Sequence, residues 1–243
     1  MTVLTESINQ EALDEVFLHP PIREVAFEIR FAPRLRVNAE LWRIQEELVR
    51  EYPVVGMETV LQSNGSALGV NIFQNADAAR AIKVSQENFV VAYTKYTRFE
   101  DFKEEVLLRT KQFCLKFDVS ELARVGLRYV NNIVIPRTAK SPDLLRYIRP
   151  VLDFERVSID NIDQFVTELR IRQKDHLITL RGVLLTPLED GRRVYVLDID
   201  CHSRSQHRAD DIPQLLDSYH ESAQLFFLDH VTEEYKNLMR GKT

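Results

Sequence analysis

The sequence predicts an α+β protein built from two successive βαβββα halves, forming a largely antiparallel sheet covered on one side by long helices. Three observations lead there. Short stretches in which apolar and polar residues alternate are separated by clusters of Asn, Asp, Gly and Ser, the pattern of strands joined by tight turns. Two long segments carry apolar residues at helical spacing, each after a group of such strands. The order strand, helix, strands, long helix also occurs twice along the 243 residues, and hairpin-linked strands with helices gathered on one side make a layered sheet.

The chain divides into a leader over 1–21, a first half over 22–119 and a second half over 120–243, packed as one compact unit. In the first half, Val25, Phe27, Ile29 and Phe31 alternate with Glu24, Ala26, Glu28 and Arg30, a half-buried strand. Asn38 is placed to cap a helix with Leu41, Ile44, Leu48 and Tyr52 on its apolar side, closed by Pro53. Strands are predicted over 54–61, 68–73, 79–85 and 89–96, with turns at Ser63-Asn64-Gly65-Ser66 and Gln86-Glu87-Asn88. Thr97 and Glu100 read as a capping box for a helix whose buried face is Phe99, Phe102, Val106, Phe113 and Phe117.

In the second half a strand spans 125–135, and Ser141-Pro142 opens a short helix. Strands follow over 166–172, 177–185 and 194–202, the last two joined at Glu189-Asp190-Gly191. Asp210 or Asp211 caps a final helix of roughly 25 residues, about 40 Å long. Its apolar stripe runs through Leu216, Tyr219, Ala223, Phe226, Phe227, Val231, Tyr235 and Leu238. Phe226 and Phe227 are expected to be buried with Phe99 and Phe102 where the two long helices cover the sheet.

The net charge of −5 opposes tight binding to nucleic acid, which needs many Lys and Arg on one face. No run approaches the ~20 apolar residues of a membrane helix, and no basic segment followed by an apolar one opens the chain. Cys114 and Cys201 are the two cysteines; they match no metal-ligand spacing and fit a reducing compartment. The expectation is a cytoplasmic protein with a protein partner or a second copy of itself, and without membrane association.

Several segments carry a resemblance. Pro20-Pro21-Ile22 with Glu24-Val25 and Glu28-Ile29-Arg30-Phe31, then Tyr96-Thr97-Arg98-Phe99-Glu100 with Phe102, then Gly126-Leu127-Arg128-Tyr129-Val130-Asn131, and last the C-terminal helix with His220 and Phe227, resemble a sporadically distributed prokaryotic family of uncharacterised proteins. The resemblance spans nearly the whole chain. It implies no assigned activity or catalytic residue, and the family's patchy distribution points toward mobile or defence-related genes.

Four groups of residues could carry chemistry. Asp198, Asp200 and His202 alternate along one strand and project from one face, where with Glu28 they could hold Mg²⁺ or Mn²⁺, hard cations that prefer carboxylate oxygens. Arg128, Asn132, Arg170, Arg172 and Arg181 add cationic and amide groups at two-residue spacing, candidates for gripping a phosphorylated ligand if the sheet curls inward. The run Leu169-Arg170-Ile171-Arg172 followed by Leu177-Ile178-Thr179-Leu180-Arg181, with Glu24 and Glu28-Ile29-Arg30, resembles strands of the triphosphate tunnel superfamily of adenylate cyclases and thiamine triphosphatases. Ala26 stands between the two glutamates where that superfamily spaces them two apart. The competing reading of these charges is a solvated sheet face laced by cross-strand ion pairs.

Arg128, Tyr129, Asn131 and Asn132 form the third group: polar residues within an otherwise apolar strand, either a pocket where the halves meet or a network fixing register. The fourth is the connection carrying His202, Arg204, His207 and Arg208 beside a helix start, suited to a phosphate but opposed by Asp210 and Asp211. Seven glycines make no glycine-rich phosphate loop, and no nucleophile triad has a recognisable context. The sequence therefore favours a non-catalytic binding or interaction protein, needing no cofactor and in keeping with a defence or mobile-element component. The alternative is a metal-dependent enzyme acting on triphosphate or polyphosphate.

Overall fold

A computed structural model describes residues 15–61, 65–135, 144–149, 162–173, 175–186 and 188–242. Its strands are β1 (Ile22–Arg30), β2 (Val54–Leu61), β3 (Ala67–Gln74), β4 (Arg80–Val84), β5 (Asn88–Tyr93), β6 (Glu121–Leu122), β7 (Arg124–Ile135), β8 (Phe165–Arg172), β9 (His176–Leu184), β10 (Arg193–Ser203) and β11 (His207–Arg208). Nine of them make one open sheet in the order β2-β3-β4-β5-β1-β7-β10-β9-β8, every neighbouring pair antiparallel. The short β6 and β11 pair beside it. Outward from the centre the order reads β1, β5, β4, β3, β2 on one side and β7, β10, β9, β8 on the other. The α+β layered sheet is thus the fold.

The helices are α1 (Leu35–Ala39), α2 (Leu41–Leu48), α3 (Phe99–Phe117), α4 (Leu144–Tyr147), α5 (Ile212–His230) and α6 (Glu233–Met239). Alternation decides which sheet face they cover. Val25, Phe27 and Ile29 of β1, Val125 and Leu127 of β7, and Leu197, Ile199 and Cys201 of β10 are fully buried on one face. On that face α3 packs over β5, with Phe113 stacked on Phe89 at 4.5 Å and tilted against Phe31 at 5.4 Å. Helix α5 lies over β7 and β10 and buries Leu216, Tyr219 and Ala223. The two helices meet above the centre of the sheet, where Lys103 and Asp217 form an ion pair at 2.5 Å. Burying such a continuous apolar layer is the main source of stability.

Several local expectations are corrected. Asn38 lies inside α1, and the residue before α2 is Glu40, which makes no side-chain cap. Helix α3 starts at Phe99 with Arg98 at its N-cap and no side-chain cap; the Thr97 hydroxyl and the Arg98 guanidinium both bond the Asp101 carboxylate instead. Asp211 does precede α5, but its carboxylate accepts the backbone N–H of Arg208 at 2.8 Å. The long terminal helix is two helices. Val231 turns extended and bridges Ile148, Thr232 donates its N–H to Tyr147 O, and its hydroxyl oxygen then caps α6. Phe102, Val106 and Phe113 are buried as expected, whereas Phe99, Phe226 and Phe227 are only half-buried. The Ser63-Asn64 part of the first turn and the Ser141-Pro142 helix start lie outside the described residues.

Residues 15–21 pack onto the fold. His19 donates its N–H to Met239 O, Pro21 O accepts the N–H of Asn132, and Arg240 clasps the Glu15 carboxylate at 2.5 and 2.7 Å. Both cysteines are free and buried, and burial pushes the Cys114 thiol up to about 11. Among the described residues no helix is long and apolar enough to cross a membrane.

Candidate functional site

The sheet has two faces of different chemistry. On the face away from α3 and α5, alternation places Glu28 of β1, Arg124 and Arg128 of β7, and Asp198, Asp200 and His202 of β10 side by side. They neutralise one another. Arg124 donates to Glu28 at 2.6 Å and grips both oxygens of Asp200 at 3.0 and 2.8 Å. Arg128 stands opposite Asp200 in register, yet its guanidinium reaches diagonally to both oxygens of Asp198 at 2.8 and 2.7 Å. Arg30 takes the other oxygen of Glu28 at 3.0 Å, so all six carboxylate oxygens already accept a guanidinium N–H. The ring of His202 lies 3.5 Å from Asp200. A divalent cation here would have to displace bidentate arginines, the strongest of the charge-assisted pairs. Among the described residues no three His, Cys, Asp or Glu side chains converge as metal ligands.

The remaining predicted arginines extend the same face toward the edge: Arg181 stands opposite Asp198 in register, and Arg170 and Arg172 follow on β8. Arg170, whose side chain is 76% exposed, pairs weakly with Glu168 at 3.3 Å on the edge strand β8. Arg172 and Arg181 are exposed beside it on β8 and β9. Among the described residues the sheet ends at β2 and β8, and these three arginines are exposed to solvent. Asn132 lies on the charged face opposite Val196, its side-chain oxygen buried without a partner among the described residues. In the connection before α5, His207 approaches Asp211 at 3.8 Å, which places an acid where a phosphate would have to sit.

The sequence reading passed over Arg124, the hub of the charged face. Its signal was available: Arg124 shares the parity of Arg128, and Gly126 lies between them. A Cβ built on Gly126 would stand 2.4 Å from a terminal nitrogen of Arg124, so the missing side chain is what lets the guanidinium lie across the strand between Glu28 and Asp200.

The other face holds a cavity of about 450 Å³ where the sheet centre, the start of α3 and the middle of α5 come together. Pro20, Pro21 and Ile22 form one wall, Tyr96 to Glu100 a second, and His220, Phe227 and Leu228 a third, while Tyr129 and Asn131 of β7 form its floor. Antiparallel pairing to β1 and β10 places these two floor residues with their side chains toward the helices, opposite in parity to Arg128 and Asn132. All four segments singled out along the sequence therefore contribute to one concave surface.

Its polar groups are ordered. The Tyr129 hydroxyl and His220 Nδ1 are hydrogen-bonded at 2.9 Å, and the Tyr96 hydroxyl bonds Tyr129 in turn. Phe99 stacks on the His220 ring with centroids 3.7 Å apart and planes 11° from parallel. The Tyr96 and Tyr129 rings meet edge to face at 5.8 Å. Asn131 donates its amide to Leu197 O at 3.2 Å. Burial lowers His220 to about 4, so its imidazole is neutral, although Glu100 and Asp217 pull the other way. Burial also raises Tyr96 to about 12 and holds Tyr129 well above the usual tyrosine range.

A search of protein-family models finds no match, and a search of curated proteins finds no similar sequence. The site must be read from its own chemistry.

Around the mouth lie the exposed carboxylates of Glu100, Asp217 and Glu221, with Arg98 as the facing cation. Arg98 is bidentate to Asp101 and Asp217 is bridged to Lys103. The rim is therefore acidic and the walls are aromatic and apolar, with the Tyr129–His220 pair and Asn131 beneath. Of the polar run Arg128, Tyr129, Asn131 and Asn132, Tyr129 and Asn131 line this cavity, while Arg128 and Asn132 lie on the opposite face. Nothing in the spacing of Tyr96, Tyr129 and His220 along the chain indicates that they meet; the strand order and the packing of α5 beside α3 over β7 bring them together.

Proposed function

We propose that this chain is a non-catalytic binding protein that takes a small organic ligand into the Tyr96–Tyr129–His220 cavity. The observation that carries the reading is the cavity itself: about 450 Å³, with aromatic rings and apolar side chains in its walls, the Tyr129–His220 pair within and polar, mostly acidic side chains around it. Ligand sites commonly have this size and lining. The titration of its polar groups supports binding over catalysis. A general acid or base works best with a pKa near the operating pH, whereas His220 sits near 4 and Tyr96 near 12. Neither exchanges a proton readily at neutral pH.

The acidic rim and aromatic walls favour a flat apolar body bearing an amine. Phe99 and Phe227 would cover the body, and Glu100 and Glu221 would face the cationic head, which ring faces also attract. The metal-dependent triphosphate reading has less to support it, because Arg170, Arg172 and Arg181 stand exposed near an open edge and Glu28, Asp198 and Asp200 are each engaged by arginine.

Calorimetric titration with indole, tryptamine and indole-3-acetate, three ligands of one body and different charge, tests the proposal. Tryptamine is expected to bind best and indole-3-acetate worst, with Phe227→Ala weakening tryptamine about tenfold, the loss of one aromatic contact. Absence of binding by all three at millimolar concentration, together with Mg²⁺-dependent binding of inorganic triphosphate, would overturn it in favour of the enzyme reading.

A further inference from the structure

The two edges of the nine-stranded sheet are built differently. At one edge, β8 interleaves its apolar residues with the exposed charges of Glu168, Arg170 and Arg172, the usual defence of an edge against pairing with another chain. At the other, β2 reads Val-Val-Gly-Met-Glu-Thr-Val-Leu and is exposed along nearly its whole length. Met57 is 73% and Leu61 77% exposed, and Val54, Val55 and Val60 are exposed on the same strand. Within β2 there is no lysine, no proline and no bulge against β3. Its single charge, Glu58, is already bridged to Lys83 of β4 at 3.1 Å. Among the described residues the strand pairs along one edge only, with β3, and it carries apolar side chains on both faces and brings no uncompensated charge.

We infer that β2 pairs with β2 of a second copy, continuing the sheet across a twofold axis. Antiparallel partners must keep their side chains on matching faces. The register centred on Met57 does this: Met57 meets Met57, Val55 meets Thr59 and Val54 meets Val60, each an apolar or β-branched cross-strand pair. Each Glu58 then faces Gly56 of the other copy and keeps its own Lys83. The register centred on Glu58 would instead set two carboxylates opposite each other, which like-charge repulsion disfavours. A foreign strand is not needed to satisfy this edge, because β2 is complementary to itself in sequence, charge and face.

Sedimentation velocity on the full chain, from low micromolar to hundreds of micromolar, reads the assembly directly. The wild type is expected to dimerise. Met57→Lys, which places a solvated charge on an already exposed position, is expected to raise the dissociation constant at least about tenfold while leaving the circular dichroism unchanged. A second variant locates the axis. Met57→Cys should form an intermolecular disulfide under mild oxidation, since directly opposed strand residues lie about 4.5–5.5 Å apart. Thr59→Cys should not, its copy being four residues along the strand; Cys114 and Cys201 are buried and do not compete. A monomer at every concentration overturns the inference, as does a dimer indifferent to Met57→Lys or one trapped by Thr59→Cys in preference to Met57→Cys.

Discussion

His220 makes the stability of this protein depend on pH in a way that one substitution can isolate. Its imidazole, lowered to about 4 by burial, is neutral in the folded chain and titrates near the ordinary histidine value of about 6.5 once unfolded. The unfolded chain therefore binds the extra proton first as pH falls. The stability is full above about pH 6.5, is lost as pH drops toward 4, and falls no further from this group below that. Integrated between pH 7 and pH 5, the linkage amounts to about 2 kcal/mol. His176 and His230 are also lowered by burial and add slope of the same sign, so the informative quantity is the difference between wild type and His220→Phe. Phenylalanine keeps a ring against Phe99, which stacks on His220 at 3.7 Å, and removes the titrating nitrogen. The carboxylates with lowered pKa, such as Glu15, Asp77 and Asp101, contribute stability that is lost mainly below pH 5. Urea unfolding of both proteins at pH 7, 6 and 5 gives the measurement. The variant should lose about 2 kcal/mol less than the wild type over that interval. Equal losses in the two would show that His220 is hydrated and that the cavity does not desolvate it.

Two further substitutions test the packing and the charged face. Phe102→Ala, at a fully buried position, should cost about 3–5 kcal/mol in urea unfolding, whereas Phe227→Ala, half-buried against the cavity, should cost roughly half as much; equal costs would mean that the cavity closes over Phe227. Gly126→Ala should push the Arg124 guanidinium off its bridge between Glu28 and Asp200, at a cost of about 1–3 kcal/mol for charge-assisted bonds lost from a part-buried site. The same change made in an Arg124→Ala background should cost little, and additive effects in that double-mutant cycle would refute the steric link.

Most of the fold was legible because alternation and turn residues act locally. The pattern of Val25, Phe27 and Ile29 against Glu24 and Glu28 marks a one-sided strand, and the observed burial follows it residue by residue. The strands over 125–135, 166–172 and 194–202 are found within a residue of the predicted bounds. What escaped depends on contacts between distant segments. The break at Val231 comes from its bridge to Ile148, which no helical periodicity reveals. Thr97 serves Asp101 rather than the helix end because Arg98 shares that carboxylate.

The candidate site was half legible for the same reason. Asp198, Asp200 and Glu28 do share a face, as two-residue spacing requires, and the arginines that pair with them come from β7 and β1, which spacing along one strand does not reveal. Tyr129 and Asn131 stood out as polar residues in an apolar strand. That they, rather than Arg128 and Asn132, face the helices is fixed by the pairing of β7 with β1 and β10. Tyr96 and His220 join them through the packing of α3 beside α5, which the sequence does not display.

The central claim, that the cavity of Tyr96, Tyr129 and His220 is where this protein meets its ligand, is tested most directly by nuclear magnetic resonance of the isotopically labelled chain titrated with tryptamine. The imidazole nitrogens of His220 and the backbone amides of Phe99, Asn131 and Phe227 should shift together and saturate, while amides of the charged face, such as those of Arg128 and Asp200, stay in place. Shifts confined to the charged face, or none anywhere at millimolar tryptamine, would contradict the account.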